Sequence, residues 1–206
     1  MSLYNNKDIL EAGVDEVARG CLAGPVYAAA VIWPNDEEML DSKIKLKDSK
    51  KLSKDKRNFL KDYIEEYAID FSVAYVNNDE IDEINILNAA QLAMKKAIDN
   101  LDVQPDSLLI DGNYFKPYVD KTGELIPHEC FIKGDDKFQS ISAASILAKV
   151  YHDEYIENLV KSQPDLEKYD WQNNMCYGTK KHIEAIKEFG ISKYHRKTFG
   201  ICKEYL

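Results

Sequence analysis

The stretch Val14-Asp15-Glu16-Val17-Ala18-Arg19-Gly20-Cys21-Leu22-Ala23-Gly24-Pro25 sets two adjacent carboxylates at the end of an apolar run. Acid pairs at a strand-to-loop junction suit Mg2+, a hard cation that takes oxygen ligands and keeps much of its water. Arg19 and Gly20, directly after, offer a cationic fork and accessible backbone N–H groups to a phosphate. Metal beside phosphate points to phosphodiester chemistry. A third carboxylate, Asp111, closes the apolar run Ser107-Leu108-Leu109-Ile110, and Gly112 after it permits a sharp turn. Pairing of two such strands would gather their terminal acids into a metal cluster. Each piece alone has a plainer reading: an acid pair is more often a solvated strand end, and Asp-Gly is a common turn dipeptide. Strand geometry adds a difficulty, because neighbouring side chains leave on opposite faces. The small residues after Glu16 are expected to bend the chain and bring both carboxylates to one edge.

The elements that must position these groups follow from periodicity. Strands are expected over Leu10 to Asp15, Val26 to Trp33, Ile69 to Val76, Ser107 to Ile110 and His128 to Lys133. Ser53 is an N-cap for a helix with Phe59, Leu60, Tyr63, Ile64 and Tyr67 inward. Ile86, Ala90, Ala93, Met94, Ala97, Ile98 and Leu101 form a second helical stripe, and a long helix runs from about Phe138 to Val160. Thr179 caps a last helix that buries Ile183, Ile186 and Phe189 and stops at Gly190. His182 and His195 read as helix-surface and loop histidines. The pattern predicts a mixed α/β sheet covered by helices over residues 1–162, with a break at Gln163-Pro164 and a small helical appendage over 163–206 that contributes to substrate binding.

Composition narrows the class. At 206 residues, 45% hydrophobic and 31% charged, the chain can bury one good core. No apolar run approaches the roughly 20 residues of a membrane span, and the first residues lack a basic and then apolar leader. A cytoplasmic protein without membrane association is expected. Cys21, Cys130, Cys176 and Cys202 make no C-x-x-C pair, which argues for reduced thiols and against zinc. The net charge of −9 is unevenly spread: residues 43–57 carry +6, residues 177–203 carry +5, and the rest sums to −20. Two basic segments on an acidic body could each meet a phosphate backbone, or could be solvated faces.

Seven short motifs occur in one order: Asp15-Glu16-Val17-Ala18-Arg19-Gly20 with Gly24-Pro25, Asp48-Ser49-Lys50-Lys51-Leu52-Ser53, Asp111-Gly112, Lys133-Gly134-Asp135, Ser142-Ala143-Ala144-Ser145-Ile146-Leu147-Ala148-Lys149-Val150, Tyr177-Gly178-Thr179 and His195-Arg196-Lys197-Thr198-Phe199. The series closely resembles ribonuclease HII, the type 2 ribonuclease H family, over residues 11 to about 200. The resemblance implies an RNase H-like fold, a five-stranded mixed sheet flanked by helices. It implies an endoribonuclease that cleaves RNA in RNA–DNA hybrids and on the 5′ side of single ribonucleotides in duplex DNA, with Mg2+ or Mn2+ as cofactor. Carried over by position, the catalytic and metal-binding acids are Asp15, Glu16, Asp111 and Asp135, with Asp15 bridging two ions. The ribonucleotide-sensing loop falls on Ala18, Arg19 and Gly20, and Tyr177 matches a tyrosine that packs on the sugar at the RNA–DNA junction. Lys50, His195 and Arg196 fall in segments that meet the nucleic-acid backbone or shape the site, and Lys50 and Arg196 are taken as nucleic-acid-binding. Asp136 and Asp153 have no expected role, and Arg196 could instead pair with an acid of the body.

Ala18 stands where the family pattern has glycine, and Val17 where it usually has alanine. A negative φ at Ala18 is expected, which makes its methyl group harmless; a positive φ would strain it by about 1–2 kcal/mol. Two rivals stand beside this reading. The sister type HIII enzymes would bring a long N-terminal extension, and only about ten residues precede the first motif. A non-catalytic hybrid-binding module would lack one of the acids, and all four positions are filled. No protein partner is evident, and a monomer is expected.

Overall fold

Two runs of small and β-branched residues make the centre of the sheet. β1 (Glu11–Val17) and β2 (Val26–Ile32) pair antiparallel, and every residue of β2 is buried. Such a strand must be covered on both faces, and the alanines of β2 let helices approach closely on each. β3 (Asp70–Val76) pairs antiparallel with β2, while β4 (Ser107–Asp111) lies parallel to β1. A small hairpin of β5 (Tyr118–Val119) and β6 (Leu125–Ile126), not foreseen from sequence, precedes β7 (His128–Phe131), which pairs parallel with β4. The five-stranded order is β3-β2-β1-β4-β7. The computed structural model describes residues 1–35, 44, 46 and 52–206. Lys50, and Asp48 of the same motif, lie outside the described residues.

Helices cover both faces. α1 (Lys54–Tyr67) starts where the Ser53 hydroxyl accepts from the Lys56 amide, as expected of that cap. Leu60, Tyr63 and Ile64 are buried, but Phe59 and Tyr67 are exposed: α1 lies on one helix neighbour, which covers a narrower stripe than the sequence suggests. α2 (Asn78–Asp99) covers the face bearing Ala12, Val14, Ala28 and Ala30. It begins earlier than its apolar stripe and breaks at Asn85 (φ 66°), whose side chain recaps the second part by accepting from the amides of Leu87 and Asn88. α3 (Gln139–Ser162) covers the opposite face, packing Ala144, Leu147 and Ala148 with Ala29 and Val31.

Past the Gln163-Pro164 break come a 3-10 segment (Pro164–Tyr169), α4 (Trp171–Asn174), α5 (Lys180–Phe189) and a 3-10 segment (Gly200–Tyr205). Leu166, Tyr169, Trp171, Ala185, Ile186 and Cys202 pack into the same core as Ala29 and Val31, so this region is built onto the sheet's α3 face. Thr179 caps α5 as expected. The buried side of α5 differs: His182, Ala185 and Ile186 point inward, Ile183 is half-buried, and Phe189 is exposed. His182 and His195, expected at the surface, are fully buried, because distant segments supply hydrogen-bond partners for their ring nitrogens. The four cysteines are free thiols. Among the described residues no helix is long and apolar enough to cross a membrane.

Candidate active site

The parallel pairing of β1 with β4 sets Val14 beside Ile110, so Asp15 and Asp111 follow side by side at one end of the sheet. Gly13 makes this possible from above. A Cβ there would lie 2.2 Å from the Ser140 carbonyl carbon and 2.3 Å from the Ile141 nitrogen, so only glycine lets the start of α3 press on β1. α3 then brings the Ser145 hydroxyl to the Asp15 carboxylate. Asp111 Oδ1 accepts from the Gly134 amide at 2.7 Å, which fastens the 3-10 turn Gly134–Asp136 to the end of β4 and places the buried Asp135 next to that contact. Gly134 also serves by having no side chain, since a Cβ would meet Ile141 at 2.6 Å.

The chain bends after Glu16 as expected, at Ala18; β1 stays paired through Val17, opposite Tyr27, so Asp15 and Glu16 themselves remain extended. The carboxylates leave on opposite faces at the strand's end, where both feel Asp111. Burial pushes the Asp15 carboxyl well above the usual range, and the charges of Glu16 and Asp111 push it further. The Glu16 amide donates to Asp15 Oδ1 at 2.7 Å, a partial offset. Burial also raises Glu16, opposed by Arg19, whose Nη1 lies 3.0 Å from Oε1. Among the described residues no group of three or more His, Cys, Asp or Glu side chains is placed to hold a metal ion. The donors nonetheless fit a divalent cation: hard carboxylate oxygens at one end of the sheet, with Asp15 buried and the proton affinities of Asp15 and Glu16 raised.

Beyond Glu16 the chain forms a loop held from behind. Arg196 is fully buried. Its Nε donates to the Gly24 oxygen at 2.9 Å, its Nη1 to Arg19 at 3.0 Å, and its Nη2 to Ala18 at 2.9 Å and Pro25 at 3.1 Å. The expectation that Arg196 touches nucleic acid is therefore corrected, as is the alternative of an ion pair with an acid: it grips four carbonyls inside the protein. A trans peptide points its N–H opposite its C=O, so turning the Ala18 and Arg19 carbonyls inward turns the Arg19 and Gly20 amides outward. Both residues are exposed. Ala18 has φ 71°, contrary to the negative value expected, so its methyl group is strained by about 1–2 kcal/mol.

Tyr177 stands beside this loop. Its ring lies 4.0 Å from where a Gly20 Cβ would be, Lys149 Nζ sits 5.6 Å from its centroid, and its phenol adjoins Cys21 and the Ala18 amide. Burial pushes the phenol's pKa up, so it stays protonated. The Leu22 amide donates to the Cys176 oxygen at 2.8 Å, and the Leu22 oxygen accepts from the Arg196 amide at 2.8 Å, fixing the loop between two C-terminal segments. Asp153, given no role from sequence, anchors a network: Lys149 Nζ at 2.8 Å, Arg57 at 3.5 Å and the His152 ring at 3.0 Å. Its legible signal was the i,i+4 pair Lys149 and Asp153 inside an apolar helix.

The family model of ribonuclease HII matches residues 12–202. A ribonuclease HII of Christiangramia forsetii is 52% identical over 206 residues, covering 100% of this chain and 98% of that protein. The crystal structure of the ribonuclease H2 from Pyrococcus horikoshii superposes with a TM-score of 0.74 at 25% identity, over 95% of this chain and 96% of that one. Bst-RNase HIII, solved in complex with Mn2+, has the same fold, with a TM-score of 0.65 at 20% identity over 96% of this chain and 69% of that one. The chain belongs to the ribonuclease HII family and is a ribonuclease H, a metal-dependent endonuclease acting on RNA in RNA–DNA hybrids.

Proposed function

We propose that the protein incises duplex DNA on the 5′ side of a single embedded ribonucleotide, as well as the RNA strand of hybrids, and leaves a 3′-hydroxyl and a 5′-phosphate. The observation that carries this reading is the outward-turned amide pair of Arg19 and Gly20, next in the chain to the buried acids and flanked by Tyr177. The 2′-hydroxyl is what separates RNA from DNA at a given position, and it both donates and accepts. Backbone N–H groups held rigidly can donate to its oxygen without a flexible side chain.

Asp15, Glu16, Asp111 and Asp135 would hold a pair of divalent ions, Mg2+ or Mn2+. Ions bound there supply a nucleophile from water at neutral pH and stabilise charge on the leaving oxygen. The remaining work belongs to the chain. Arg196 fixes the loop, Gly134 carries Asp135 toward Asp111, and Tyr177 packs on the sugar beside the ribonucleotide and sets the register. Residues 163–206 supply that tyrosine and the loop's support, which is how we assign the C-terminal region to substrate binding. Lys50 would add a phosphate contact.

The test is cleavage of a DNA duplex carrying one ribonucleotide, with the cut mapped, against an all-DNA duplex and a four-ribonucleotide insert. A cut on the 5′ side of the lone ribonucleotide, none in plain DNA, and loss of at least a hundredfold in Asp15→Asn are expected. An Asp15→Asn enzyme within tenfold of wild type would reject the assignment of that carboxylate. Tyr177→Ala should slow lone-ribonucleotide cleavage while leaving plain-duplex binding intact; equal losses would remove its role.

A further inference from the structure

His182, on the buried side of α5, makes contacts that fix its protonation. Its Nε2 lies 2.9 Å from the indole Nε1 of Trp171, a group that only donates. Nε2 is therefore the acceptor and Nδ1 carries the proton, which it donates to the Tyr177 carbonyl oxygen at 3.0 Å. His195 Nε2, 3.1 Å away, must then donate to the same His182 nitrogen, leaving His195 Nδ1 to accept from the Ser192 amide at 2.9 Å. One set of tautomers gives all four ring nitrogens a partner, the single Nε2 lone pair of His182 being shared between two N–H donors, with both rings fully buried.

This relay joins the two segments that flank the loop. One end is the peptide of Tyr177, whose neighbour Cys176 receives the Leu22 amide; the other is His195, adjacent to Arg196. We propose that His182 is a positioning residue of the ribonucleotide-reading site, which holds the Tyr177 peptide and so keeps the phenol ring beside the Arg19 and Gly20 amides. The proposal rests on the reading of Tyr177 as the residue that packs on the sugar.

Two substitutions separate this from a general packing role. His182→Asn places an amide N–H near the position of Nδ1 and can still donate to Tyr177, whereas His182→Gln places its polar atoms near Nε2 and loses that bond. In His182→Gln, hydrogen exchange at the Leu22 amide should quicken about tenfold and kcat on a lone-ribonucleotide duplex should fall about tenfold, with Kd for plain duplex unchanged. His182→Asn should stay within about threefold of wild type in each, on the same grounds. Equal behaviour of the two variants, or a matching loss of plain-duplex binding in His182→Gln, overturns the proposal. Where His182→Gln does not fold, the crystal structure of His182→Asn decides. The new amide nitrogen within hydrogen-bond distance of the Tyr177 oxygen supports the tether, and an amide turned away overturns it. A Tyr177→Ala enzyme that still cuts lone ribonucleotides normally defeats the sugar reading alone, since Leu22 exchange judges the His182 tether without reference to activity.

Discussion

Asp15 costs the folded protein stability. Its carboxyl is buried among like charges, so its folded proton affinity exceeds the unfolded one and ionising it costs more in the folded protein than in the unfolded chain. Asp15→Asn should therefore stabilise the metal-free protein at pH 7 by about 1 kcal/mol or more, which raises Tm by roughly 2–4 °C per kcal/mol. A calorimetric scan without divalent ions checks this; an unchanged or lower Tm would show the carboxylate is compensated. Ala18 carries a different strain, a left-handed backbone with a methyl group. Ala18→Gly should raise stability by about 1 kcal/mol, net of the added freedom of the unfolded chain. Urea denaturation measures it, and cleavage should stay near wild type because the Ala18 and Arg19 carbonyls remain gripped by Arg196.

Among the elements, the loop after β1 depends on the segment around Arg196 more than on its own sequence. Lysine cannot reproduce a planar fork gripping four carbonyls. Arg196→Lys should lower stability by about 2–4 kcal/mol and slow lone-ribonucleotide cleavage more than tenfold. Denaturation and single-turnover kinetics report the two effects. The five strands of the main sheet were legible in the sequence, where they alternate or run apolar, and Ser53 and Thr179 cap α1 and α5 as their types demand, whereas the two-residue strands β5 and β6 were too short to show a pattern. The inward faces were less so. Phe59, Tyr67 and Phe189 carry the helical period yet stay exposed, because a helix buries only what its neighbours cover. Arg196, His182 and His195 read as surface residues because local sequence does not show the distant carbonyls and ring nitrogens that satisfy them. The left-handed turn at Ala18 had one signal, the glycine that the family pattern has there, but the alanine itself argued for a negative φ. The gathering of Asp15 and Asp111 was foreseeable from two apolar strands ending in acids, whereas Asp135 needed the Gly134 contact with Asp111 to find its place.

For the whole molecule, the buried histidines set an acid limit. Burial pushes His182 down and His195 to about 3, so the unfolded chain binds more protons below its ordinary histidine pKa. Stability is full above about pH 6.5 and falls as pH drops toward the folded value, by up to about 1.4 kcal/mol per pH unit for each histidine. The raised carboxyls of Asp15 and Glu16 act with opposite sign. Urea midpoints at pH 7 and pH 5 should show the loss, and His195→Gln should flatten it; a pH-independent midpoint would refute neutral burial. The bond from Arg196 to the Arg19 carbonyl spans 177 residues of chain. A nascent polypeptide emerging from the ribosome can thus present β1 and β2 long before Arg196 is there to grip the loop between them. The loop after β1 therefore gains its support only once the segment around Arg196 has been synthesised.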